Sequence, residues 1–192
     1  MSETRRLTID LAPEYRSREA ASFVAQLNNQ SDRLKRHSRN LDRNMLAWQI
    51  APGVNTIGML MTHMAIWEVY WIRRVLENDP NAEAHVESVL GINTKASNMP
   101  IEAKGNPPAS LFQDIAFFDD LLKRAREYTT KIAMQITDDE MEVDVDISSD
   151  GDSVTATPRW ALYHVLEHFC GHFGQILLLR NQVMLLDPIT KP

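Results

Sequence analysis

Three histidines at four-residue spacing, His164, His168 and His172 in the run WALYHVLEHFCGHFGQILLLRNQ, have metal-ligand geometry if the run is helical. Each step of four residues turns about 40° around a helix and climbs about 6 Å, so neighbouring imidazoles can aim at one point. His63 lies upstream in an equally apolar run, NTIGMLMTHMAIWEVYWIRRVL, and completes a site if the two helices pack together. Two histidines one turn apart plus a ligand from another helix give an open site for a divalent ion. One turn before His168, His164 could be a fourth ligand, but over two turns the face rotates about 80° away from His172, which favours a place beside the site. The pattern is not that of a zinc peptidase, because Phe169 follows His168 where a general-base glutamate would stand.

Around these histidines, His164, Glu68, Gln175 and Trp67 are the expected neighbours or pocket residues. Glu68 could accept from a ligand's second ring nitrogen, and Gln175 could orient a ligand or bind substrate. Gly171 and Gly174 each cost about 1 kcal/mol inside a helix; a close-packed neighbouring helix or room for a substrate would compensate. Cys170 points away from His168 and is expected to pack into core or interface. His37 and His85 stand in polar surroundings and read as surface residues.

Four long helices must position these groups. The first spans about Pro13 to Arg39, and the second about Asn55, its expected N-cap, to Glu77, stopped by Asn78-Asp79-Pro80. Residues 79 to 109 form a long connection with a short helix near Ala84 to Leu90. Ser110 and Gln113 match a capping box for a third helix that runs to about Gln135. MEVDVDI and SVTAT, joined through SSDGDS, predict a short hairpin. Thr157-Pro158 then starts a fourth helix, ended after Leu186 by Asp187-Pro188.

The 192 residues fit one domain, 1–192, with an apolar fraction of 44% that can build a core. A net charge of −6 argues against nucleic-acid binding, and Arg33, Lys35, Arg36, Arg39 and Arg43 read as a solvated helix face. A single cysteine and the absence of an apolar leader or spanning segment lead us to expect a cytoplasmic protein outside the membrane.

NTIGMLMTHMAIWEVYWI and HVLEHFCGHFGQI resemble the second- and fourth-helix signatures of the DinB-like (DinB/YfiT) metalloenzyme family, a resemblance covering about Leu41 to Leu186. It implies an all-α, up-down-down-up four-helix bundle. It also implies a metal triad on His63, His168 and His172, with nickel or zinc as the ion. Phe173 departs from the arginine usual in the trailing motif. Homodimers are frequent in similar proteins. Members with known chemistry use low-molecular-weight thiols, as in mycothiol-dependent maleylpyruvate isomerase and bacillithiol transferases. Two readings follow: a metal-dependent enzyme, such as a thiol-dependent S-transferase or isomerase acting on small electrophiles, or a non-catalytic metal-binding stress protein in which the ion braces the bundle.

Overall fold

A computed structural model describes residues 8–94, 105–148 and 152–186. The order of elements is α1 (Arg18–Ser38), α2 (Arg43–Ala47), α3 (Ile57–Trp71), α4 (Ala82–Leu90), α5 (Ile115–Ala133), β1 (Val145–Asp146), β2 (Thr155–Ala156) and α6 (Pro158–Leu186). The architecture is all-helical apart from one two-stranded ribbon. The SSDGDS turn at 149–151, residues 95–104 of the long connection and the Asp187-Pro188 stop lie outside the described residues.

Local chemistry explains the boundaries. The Ser17 hydroxyl accepts from the Ala20 amide at 3.1 Å, and the Thr157 hydroxyl from the Trp160 amide at 3.2 Å, so a polar side chain starts each helix. The first helix thus begins at Arg18, later than the pattern suggested. At α3 the cap is Thr56, not Asn55: the Thr56 hydroxyl accepts from Met59 N at 3.2 Å, while the buried Asn55 Oδ1 has no hydrogen-bond partner. The capping box at Ser110 does not form either. Ser110 belongs to a short 3-10 turn, Ala109–Leu111, and Gln113 Nε2 donates to its carbonyl oxygen. The helix starts instead after Asp114, whose carboxylate is held by Arg43 at 2.6 Å. The apolar Leu111 is buried ahead of that start, which anchors the turn as a separate unit.

Beyond Trp71, α3 continues as a π-helical turn, Ile72–Leu76, and Asn78 at φ +50° ends it. Asparagine tolerates this left-handed conformation better than most residues. Helix α3 is buried on most of its circumference, with Ile57, Met59, Met61, Met64, Ala65 and Val69 in the core. It packs on α5 and α6, and α1 packs on the same two helices. The ribbon pairs Val145 with Ala156 and buries both against Val75 and Ala161. This gives a marginal hairpin its support.

Candidate metal centre

Helices α3 and α6 bring His63, His168 and His172 together, and all three side chains are half-buried. His168 Nε2 lies 3.0 Å from His63 Nε2 and 3.1 Å from His172 Nε2. Metal–nitrogen bonds of ~2.0–2.1 Å place neighbouring ligand nitrogens about 3.0–3.4 Å apart, so the spacing fits a shared divalent ion. Among the described residues this group has three members, all imidazoles. That donor set suits zinc, nickel or other borderline ions rather than calcium or magnesium.

Protonation supports the same fit. Burial, reinforced by His172, pushes His63 down to about 4; burial, then His172, His63 and His164, pushes His168 down to about 3. Both rings are therefore neutral at pH 7, the state in which imidazole ligates. His172 Nδ1–H donates to Gln175 Oε1 at 2.8 Å, which leaves the Nε2 lone pair facing the other two rings. Converging Nε2 lone pairs repel unless a cation lies among them, and one proton could bridge only one pair. The residues fit a metal ion.

The structure separates the remaining expected site residues. Gln175 orients His172, and Trp67 stands with its ring centroid 5.9 Å from His63. His164 is a neighbour: its ring is 6.0 Å from His168, stacked on Trp160, with Nδ1 4.0 Å from the Glu167 carboxylate. Glu68 faces elsewhere. Its carboxylate accepts from Arg126 Nε at 2.7 Å, Arg126 Nη2 at 2.9 Å and the Thr129 hydroxyl at 2.8 Å, so it braces α3 to α5 rather than orienting a ligand. The cause is helix phase: five residues turn about 500°, leaving Glu68 about 140° from His63.

A Cβ added at Gly171 or Gly174 would meet nothing within 4 Å. These glycines do not serve a close helix contact. Phe173 is a core residue at 4% exposure, with the Arg33 guanidinium 5.7 Å from its ring. Cys170 is exposed rather than packed in the core, and desolvation pushes its thiol above the ordinary range, which disfavours the nucleophilic thiolate. His37 is exposed. The exposed His85 is tied to Asp79 at 2.7 Å, and both lie apart from the triad.

Two groups of residues escape a reading by motif. Arg126 is one; its signal was a charge in the buried phase of α5, between Ala125 and Thr129. Tyr70, Trp71 and Trp160, which extend the rings of the site, are the other.

An all-helical fold with three imidazoles converging between α3 and α6 defines a helical protein with a candidate metal site. A family model described as mycothiol-S-transferase matches residues 22–184, and the chain belongs to that family. Among relatives, the uncharacterized protein YkkA of Bacillus subtilis (strain 168) is 27% identical over 129 residues. That match covers 67% of this chain and 66%, just under two thirds, of YkkA. A conserved protein of Enterococcus faecalis with a solved crystal structure aligns with a TM-score of 0.60 at 15% identity, over 83% of this chain and 93% of that one. The likeness is one of fold. No helix among the described residues is long and apolar enough to cross a membrane.

Proposed function

We propose that the protein is a metal-dependent thiol S-transferase that joins a low-molecular-weight thiol to a small electrophile. The observation that carries this reading is the convergence of three imidazoles with, among the described residues, no fourth ligand in the group, because an ion with an open position suits catalysis and a closed one suits structure. Membership of the mycothiol-S-transferase family supports the choice of reaction. His63, His168 and His172 would hold the ion, with nickel or zinc as the candidates. A divalent ion bound there would lower the pKa of a coordinated thiol, as such ions do for water.

The chain's own residues do the rest. His63 and His168 stay unprotonated because burial disfavours their cations, and Gln175 fixes the tautomer of His172. The open space at Gly171 and Gly174 leaves access from the exposed face of α6. In the transfer the thiolate sulfur bonds to the electrophilic carbon, the leaving group departs with its electron pair, and the thiol proton passes to water. We place this chemistry in the cytoplasm, on an up-down-down-up four-helix bundle that pairs as a homodimer; exposed Leu178 and Leu185 on α6 support the pairing.

Elemental analysis tests the ligand set: His168→Ala is expected to lose the metal, and full retention would remove the triad. A screen of nickel- or zinc-loaded protein with mycothiol and small electrophiles, scored against His63→Ala, tests the reaction. Equal turnover by both proteins would refute it.

A further inference from the structure

The seam between α3 and α6 carries more rings than the triad uses. Helix α3 presents His63, Trp67 and Trp71 at four-residue spacing, and α6 presents Trp160, His164, His168 and His172 at the same spacing. His63 meets His168 at 4.9 Å between centroids, while Trp71 meets His164 and Trp160 at 5.2 Å each, so the helices run antiparallel with their ring rows in register. Trp67 bridges the gap, 5.9 Å from His63 and 6.1 Å from Trp71. The result is a continuous aromatic band that leaves the triad and follows the seam for eight residues, about 12 Å.

This band lies at the edge of the core, against which Trp71 packs. Trp67, Trp71 and His164 are half-buried and Trp160 is 39% exposed. Trp160 and His164 lie parallel within 4°, 4.8 Å apart, and Trp71 stands edge-on to both at 81° and 84°. Large rings held in fixed orientation at a surface, contiguous with a metal-ligand cluster, are the features of a ligand platform rather than of scattered exposed hydrophobes. Indole faces carry negative π charge and attract electron-poor rings. Electron-poor conjugated carbons are also those that a thiolate attacks.

We propose that Trp67, Trp71, Trp160 and His164 form the platform for the electrophile, and that this electrophile is a planar, electron-poor aromatic or conjugated molecule. The assignment rests on the reading of the triad as the place of thiol transfer. With an activated aryl chloride, the sulfur–carbon bond forms, the carbon–chlorine bond breaks, chloride leaves with the electron pair and the thiol proton goes to water.

The test separates platform from reaction. Equilibrium dialysis of 1,3-dinitrobenzene, which has no leaving group, against the metal-free full chain is expected to show saturable binding. Trp160→Ala and Trp67→Leu should each weaken it about two- to tenfold, the range of one aromatic pair. Tetramethylammonium should not compete; competition would make the band a cation site and overturn the proposal. Equal binding by the wild type and both variants would overturn it too. As a second readout, nickel-loaded wild-type protein with mycothiol should prefer 1-chloro-2,4-dinitrobenzene to iodoacetamide, and Trp160→Ala should raise KM for the aryl chloride alone. Dinitrobenzene binding without turnover would remove thiol transfer and support the platform. Turnover of both electrophiles that ignores the tryptophans would remove the platform and leave thiol transfer standing.

Discussion

Replacing Arg126 by methionine should be among the most damaging single changes remote from the triad. Glu68 is 2% exposed and Arg126 9%, and the guanidinium gives the carboxylate two hydrogen bonds, at 2.7 and 2.9 Å. The same guanidinium reaches Asn28 Oδ1 at 3.2 Å and the Ser31 hydroxyl at 3.1 Å, and its carbon lies 5.5 Å from the Phe169 ring, so one side chain ties α5 to the other three long helices. Arg126→Met leaves a buried carboxylate with only the Thr129 hydroxyl as partner. Breaking one side of a buried pair costs about 3–5 kcal/mol, because the remaining charge has neither water nor a counter-ion. For a chain of this size each kcal/mol is worth ~2–4 °C, so Tm should fall by roughly 6–20 °C. Glu68→Leu combined with Arg126→Met removes the stranded charge and should recover most of the loss, ending about 0–2 kcal/mol below wild type. Urea unfolding followed by circular dichroism, in chelator so that metal binding adds nothing, compares the proteins. If the double variant is as unstable as Arg126→Met alone, the isolated carboxylate is not the cause and the reasoning fails.

Gln175→Leu should weaken metal binding about 10–100-fold, measured by chelator competition, with little change in stability, because exposed Gln175 acts only by orienting His172. Unchanged affinity would show that His172 holds its tautomer unaided. Gly58→Ala places a Cβ 2.6 Å from Cζ of fully buried Phe118 and should cost ~1–3 kcal/mol in urea unfolding, whereas Gly174→Ala meets open space and should gain up to about 1 kcal/mol. Gly58→Ala without loss would mean that α3 and α5 sit further apart. The Asp79 carboxyl is held down to about 2 by hydrogen bonds from His85, the Asn81 amide and Arg73. A depressed folded pKa gives stability that is complete above the unfolded value of about 3.9 and is lost as pH falls toward 2. The stability gap between wild type and Asp79→Asn should therefore be constant at neutral pH and close between about pH 4 and 2; a gap that widens with acid would contradict it.

Helix periodicity and punctuation made the long helices legible, because the signals that stop α3 and start α6 are local: Asn78 at positive φ and the Thr157 hydroxyl cap. The start of α5 was not legible in the same way. Its N-cap, Asp114, makes no side-chain capping hydrogen bond, and its carboxylate is engaged by Arg43 from 71 residues away, while a local capping pattern at Ser110 imitated a start. At the site, four-residue spacing singled out His168 and His172 from one helix, and the match on the second helix supplied His63. Phase along a single helix also separates His164 from His172. It could equally have turned Glu68 away from the ligands, since 140° is not a neighbouring position. What no single segment could reveal is how the ring rows of α3 and α6 line up, because antiparallel register depends on the packing of both helices. Trp71 and Trp160 are 89 positions apart and meet only through it.

Helix α3 thus carries two polar networks on different faces, and they divide the labour of the fold. His63 looks onto the α6 seam, where the triad side chains are half-buried; Glu68 is buried against α5, where Arg126 and Thr129 hold its carboxylate. A change in the inner network should therefore lower stability with little effect on metal affinity measured in the folded protein. A change in the seam network should do the reverse. Arg126→Met and Gln175→Leu form that crossed pair. Were Gln175→Leu to lower Tm in chelator as much as Arg126→Met does, the seam would be part of the structural core. The half-exposed rings around the triad would then be there to hold the fold rather than to meet a ligand.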